Sequence, residues 1–232
     1  MGVTFYLKQI SVSTLNILKQ NPKQVELFYA AKWLPESSFW QRARYWVGSS
    51  ADAAKQDSEA QFGSASYRSQ FVSEWEIPDL DLHKYFPELT YLLAGYIPDS
   101  SKGRLAIPEL QSRPDLMQKK NFMEFFIIEN SAWDGLPLVN AIWAGTQVGR
   151  KENNWYQTPE EVGRILDGLL WIAEEGFQAR YQREAESEEP CPWFDWEEEE
   201  MLDWLTDYYN AMVHYYQDAL RRGNAILAHL SI

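Results

Sequence analysis

The pattern of apolar and polar positions is clearest between Leu136 and Leu170. Residues Leu138 to Ala144 are apolar except for Asn140, and Gly145 closes the run. A short apolar run bounded by glycine predicts a buried strand. A polar connection follows, Arg150 to Asn154, and Thr158-Pro159-Glu160-Glu161 then opens a long helical pattern. The Thr158 side chain is placed to accept from the Glu161 N–H while the Glu161 carboxylate reaches back, a capping box worth about 1 kcal/mol. Pro159 takes the first helical position, where its missing N–H costs nothing. Val162, Ile165, Leu166, Leu169 and Ala173 share one side of this helix. Trp171 points away from them, between Arg164 and Glu175.

The same reading extends to the ends of the chain. Val3, Phe5 and Leu7 alternate with Thr4, Tyr6 and Lys8, which predicts a strand with one buried face. Ser11 is an N-cap for a helix with Val12, Leu15 and Leu18 at helical spacing, and a second helix runs from Pro22 to about Trp33 with Val25, Phe28 and Tyr29 inward. From Asp79-Leu80-Asp81-Leu82 the chain enters a helix whose Leu82, Phe86, Leu89 and Leu93 share a face, and Gly95 ends it. Phe122 to Ile128 predicts an interior strand, with an irregular crossing loop before it and a turn from Asn130 to Gly135 after it. The last helix carries Met201, Leu205, Tyr208, Met212, Tyr215 and Ala219 on its inner face, widened by Leu202, Tyr209 and Tyr216. It stops at Gly223, and Ala225 to Leu230 predicts a closing strand.

The pattern fails between residues 35 and 78, where Ser, Ala and Gln dominate from Ser49 to Gln70. A structureless loop of that length inside a compact domain is unusual, so the segment reads as a loop-rich insertion with short helical pieces near Trp40 to Trp46. Its aromatics, Phe71 and Trp75 among them, imply that it packs onto the rest. Cover of Trp171 by this insertion is one expectation, and a partner-binding patch at Trp171 is the other. The whole, residues 1–232, is expected to be one α+β domain: a small mixed or antiparallel sheet of about four strands, packed by several helices.

Charge narrows the partners. Lys and Arg number 21 against 34 Asp and Glu, a net charge of −13. That balance disfavours nucleic acid and anionic membrane surfaces and favours steering toward a basic partner. The lone Cys191, between Pro190 and Pro192 with acids around it, excludes an internal disulfide framework and makes a poor nucleophile. No run of about 18 apolar residues occurs, and Met1 to Leu7 lacks the charged stretch of a signal peptide, so a cytoplasmic protein is expected.

The candidate chemistry is sparse. His214 shares the polar arc of the last helix with Asp203, Asp207, Asn210 and Arg221. It is open to two readings, a His–carboxylate pair or metal site with Asp207 or Asp218, or an ordinary solvated face. His229 alternates with Ala228 and Leu230 and reads as packed, and His83 belongs near a helix start. Nine acids between Glu184 and Glu200 lack the alternating pattern and central glycine of a calcium loop. No dinucleotide, phosphate-loop or nucleophile-elbow motif is present, and no cofactor or metal is expected.

Three segments and the C-terminal end resemble the YfbM-like bacterial family, whose function is unassigned. They are Met1-Gly2-Val3 to Tyr6 with the Ser-capped helix, Leu80-Asp81-Leu82-His83-Lys84-Tyr85-Phe86 up to Gly95, and Pro137 through Val162. The end is Leu220 to Leu227. The resemblance implies an α+β fold and no reaction. This chain carries His83, Phe86 and Thr90 where the family tends to have Asp, Trp and His, while Asp81 and Lys84 remain. With the −13 charge, the acidic segment, the outward Trp171 and no catalytic motif, the expected function is a non-catalytic soluble interaction protein with a protein partner, for which the charge favours a basic one. The alternative is an enzyme or small-molecule binder with a cleft near Asp81, Lys84, Asn130 and Trp133. Oligomeric state is not fixed by the sequence.

Overall fold

Alternation along the first strand sets the architecture. The structure, a computed structural model, describes residues 4–32, 69–95, 138–143, 146–149, 154–188, 194–196 and 200–231. Strand β1, Thr4–Ile10, turns Phe5 and Leu7 into one apolar core and Ile10 into another. Successive side chains leave a strand on opposite faces, so the sheet carries a core on each side.

Five strands form one antiparallel sheet in the order β2-β1-β5-β4-β3, one more than expected. Strand β5, Ala225–Ser231, is central and pairs with all of β1, from Ile10 opposite Ala225 to Thr4 opposite Ser231. Strands β2, Leu80–Asp81, and β3, Thr146–Gln147, are two-residue edges. Strand β4, Asn154–Gln157, is buried along its whole length.

One face of the sheet holds helices α1, Val12–Gln20, and α2, Gln24–Ala31, with a 3-10 helix at Ser69–Glu76. Ser11 accepts the Thr14 N–H as the expected N-cap of α1, and Leu15, Leu18, Val25 and Phe28 are buried. Val12, expected inward, is 43% exposed. Phe71 and Trp75 from the 3-10 helix are also buried here, and the Trp75 indole donates to the Phe28 carbonyl at 3.0 Å. The remainder of the insertion, the Phe122 to Ile128 strand and Cys191 fall outside the described residues.

The other face holds α3, Phe86–Ala94, α4, Pro159–Ala185, and α5, Met201–Arg222. Gly95 ends α3 at φ +81° and Gly223 ends α5 at φ +66°, the left-handed positions that glycine takes without steric cost. The capping box of α4 is complete, with the Thr158 N–H donating to Glu161 Oε2 at 2.7 Å and the Glu161 N–H to Thr158 Oγ1 at 3.3 Å. Val162, Ile165, Leu166 and Leu169 are buried as expected. Ala173 is not helical: at φ +57°, ψ 171° it breaks α4 into two pieces.

Residues 138–141 correct the sequence reading. Leu138–Ala141 is a buried 3-10 helix rather than a strand. A short apolar run fits a buried helical turn as well as a buried strand, and periodicity alone does not separate them. Polar contacts hold the turn. The Asn140 amide donates to the Trp143 carbonyl at 3.1 Å, and Gln157 Nε2 donates to the Asn140 carbonyl. The Tyr216 hydroxyl lies 2.8 Å from Gln157 Oε1 and 2.9 Å from the Ala141 carbonyl. The pairing strands lie further on, in β3 and β4.

Candidate functional site

Helix α5 buries a face slightly rotated from the predicted one. Leu205, Tyr209, Met212, Tyr216 and Ala219 are fully or almost fully buried, whereas Tyr208 and Tyr215 sit at its margin. The rotation leaves Trp204, Asp207, Tyr208 and Ala211 along one edge of the helix at i, i+3, i+4 and i+7, positions that share a surface. Leu80 of β2 and Tyr85 of the 3-10 turn His83–Tyr85 face that edge. The six residues line an open groove of about 410 Å³.

Aromatic rings make most of its wall. Tyr85 packs against both Trp204 and Tyr208, with ring centroids 6.1 and 5.6 Å away and planes tilted by 44° and 43°. The edge of His83 meets Tyr208 at 6.0 Å. Burial and the neighbouring Asp81 carboxylate hold the Tyr208 hydroxyl above the usual tyrosine range, so it is neutral at physiological pH. Asp207 is exposed on the groove wall and has no ion-pair or hydrogen-bond partner among the described residues.

Asp81 and Lys84 flank the groove. Asp81 is committed locally: Oδ1 accepts the His83 N–H at 2.7 Å, and Oδ2 lies 3.5 Å from His83 Nδ1. That bond secures His83 at φ +48°, a left-handed conformation uncommon outside glycine. The turn in turn aims Tyr85 and Lys84. Lys84 Nζ sits 5.2 Å from the centroid of the Tyr85 ring, a cation–π contact within the turn. Asn130 and Trp133, the other two residues of the expected cleft, lie outside the described residues.

The remaining candidates are placed elsewhere. His214 follows Asp207 by seven residues, roughly 10 Å along the helix axis. Its Nδ1 donates to the Asn210 carbonyl at 2.7 Å. Asp218, the other suggested partner of His214, binds Arg222 Nε at 2.7 Å, Arg221, and Gln9 Nε2 at 3.3 Å. Those bonds, led by Arg221 and then Arg222, hold its carboxyl below the usual range. Trp171 is 55% exposed, so more than half of its surface stays open, next to Leu170 at 49%. His229 stacks on Tyr6 and donates from Nδ1 to Asn154 Oδ1 at 2.9 Å. Phe86 and Thr90, at the positions where the chain departs from the family pattern, are core residues, and Thr90 Oγ1 donates to the Phe86 carbonyl at 2.6 Å.

Among the described residues no group of three or more His, Cys, Asp or Glu is arranged to hold a metal ion. Among them, too, no helix is long and apolar enough to cross a membrane. The sequence pattern alone hides the groove, because it places Tyr208 on the inner face of the helix and gives Trp204 no role. The spacing of Trp204, Asp207, Tyr208 and Ala211 was the available signal.

Fold and groove together define a single-sheet α+β protein with an aromatic surface cleft between its last helix and the edge strand β2. The chain belongs to the family described as domain of unknown function (DUF1877), whose pattern matches residues 1–229, and is YfbM-like as the resemblance implied. A solved structure of a protein of unknown function, YfbM from Escherichia coli, is similar to it at 12% identity. The match covers 98% of this chain and 99% of that one, with a TM-score of 0.47. No curated protein matches the sequence.

Proposed function

We propose that the protein is a non-catalytic binding protein of the bacterial cytoplasm, and that its groove takes a cationic group from a basic protein partner. One observation carries this reading: three aromatic rings, Tyr85, Trp204 and Tyr208, share a groove with the carboxylate of Asp207, which has no partner among the described residues. Aromatic faces attract cations through their quadrupole, by about 0.5–2 kcal/mol as the site dries. A nearby carboxylate adds charge without needing a catalytic partner. The net charge of −13 supports the same choice by drawing basic molecules toward the surface at long range.

Isothermal titration calorimetry with a mixed Lys/Arg peptide tests it, alongside an acidic peptide of equal length. The expected result is binding of the basic peptide that weakens with salt and with Asp207→Asn, and none of the acidic one. Failure of the basic peptide to bind at low salt contradicts the reading. A groove of about 410 Å³ also lies within the size range of small-molecule sites, which favours a small cationic ligand as the second reading.

A further inference from the structure

We infer that the cation taken by this groove is an arginine side chain of a protein partner, in preference to lysine; the inference rests on the binding reading above. Tyr85 packs directly against Trp204 and Tyr208, at 6.1 and 5.6 Å between centroids. The planes of Trp204 and Tyr208 are tilted by 44° and 43° from that of Tyr85, so the groove wall is a set of separate flat ring faces. A guanidinium is planar and weakly hydrated, so it stacks on such a surface, whereas an ammonium keeps its water and acts as a point charge.

The carboxylate is placed to match. Asp207 lies between Trp204 and Tyr208 in sequence, on the same helical turn, and its oxygens have no other partner among the described residues. A carboxylate beside a ring platform meets the forked donors of a stacked guanidinium with two parallel hydrogen bonds. Asp81, by contrast, is already engaged by His83.

Lys84 adds direction. Its ammonium already lies 5.2 Å from the Tyr85 ring centroid, so an incoming cation of either kind is steered along to Trp204 or Tyr208. The long apolar stem of arginine then lies along Leu80 and Ala211, both groove residues.

The test compares two Gly/Ser peptides identical except that several positions are Arg in one and Lys in the other, with argininamide as a third ligand. The Arg peptide is expected to bind roughly tenfold more tightly than its Lys twin. Asp207→Asn is expected to remove most of that preference. Asp167→Asn, at an exposed α4 position outside the groove, changes net charge equally and is expected to leave the preference intact. Equal affinity for the two peptides overturns the arginine assignment and leaves cation binding standing. Argininamide as tight as the peptide overturns the protein partner. If neither peptide binds, both this inference and the reading beneath it fall.

Discussion

Tyr215 completes the hydrogen bonding of β1 at Gln9. Its hydroxyl accepts the Gln9 N–H at 2.8 Å, and Gln9 Nε2 donates to the Tyr215 carbonyl at 3.1 Å. Strand β2 pairs only with Tyr6 and Leu7, so the Gln9 N–H lies beyond its end. The same hydroxyl donates to the Pro78 carbonyl at 3.1 Å and so ties α5 to the segment leading into β2. A tyrosine thus does the work of a missing strand residue, next to the turn that carries the groove.

Tyr215→Phe leaves the Gln9 N–H without its acceptor. A buried unsatisfied donor costs about 1–3 kcal/mol, and urea unfolding at neutral pH is expected to show a loss in that range. A loss below about 0.5 kcal/mol would mean that water or a neighbour replaces the hydroxyl.

Alkaline pH exposes the buried tyrosines. Burial pushes Tyr209 up to about 12 and raises Tyr215 and Tyr216 as well. Unfolded tyrosine ionises near about 10. Folded pKa values above the unfolded one favour the folded state at pH values below about 10, and that stability drains away as pH rises through the folded values. Urea midpoints measured from pH 8 upward should hold to about 10 and then fall steadily. Tyr209→Phe should flatten part of that fall, at the expense of the bond from its hydroxyl to the Leu169 carbonyl at 2.7 Å.

Ala173 offers a test in which the sign decides. In a regular helix interior, Ala→Gly costs roughly 1 kcal/mol. At φ +57°, ψ 171° the alanine is strained instead, in a region that is almost glycine's alone. Such strain amounts to roughly 1–3 kcal/mol, against roughly 0.4–1 kcal/mol for the extra freedom of glycine in the unfolded chain. Ala173→Gly is therefore expected to raise the melting temperature. A fall would show a continuous helix at that point.

Thr158→Ala removes the cap from α4 and is expected to lower stability by about 1 kcal/mol in the same urea experiment. This cap was readable in the sequence because all its atoms lie within four consecutive residues. Gly95, Gly223 and the Ser11 cap were readable for the same reason. What escaped depended on distant partners. Strands β2 and β3 are two residues each and exist through pairing, and β4 carries buried Asn154 and Gln157 whose partners are His229 and Tyr216. The run at Leu138–Ile142 reads as a strand in sequence because burial of every position erases periodicity. The groove itself was not legible: Asp81 and Lys84 adjoin its lining residues Leu80 and Tyr85 without lining it, and its other wall depends on the rotation of α5.

The most direct test of the account is where a basic ligand lands. Nuclear magnetic resonance titration of the isotope-labelled protein with the Arg peptide reads the indole signals of the 11 tryptophans, with Trp204 assigned through Trp204→Phe. The account predicts that the Trp204 indole and the backbone amides of Tyr85, Asp207 and Tyr208 shift together and saturate, while Trp171 stays in place. Shifts that gather at Leu170 and Trp171, with Trp204 unmoved, would contradict it.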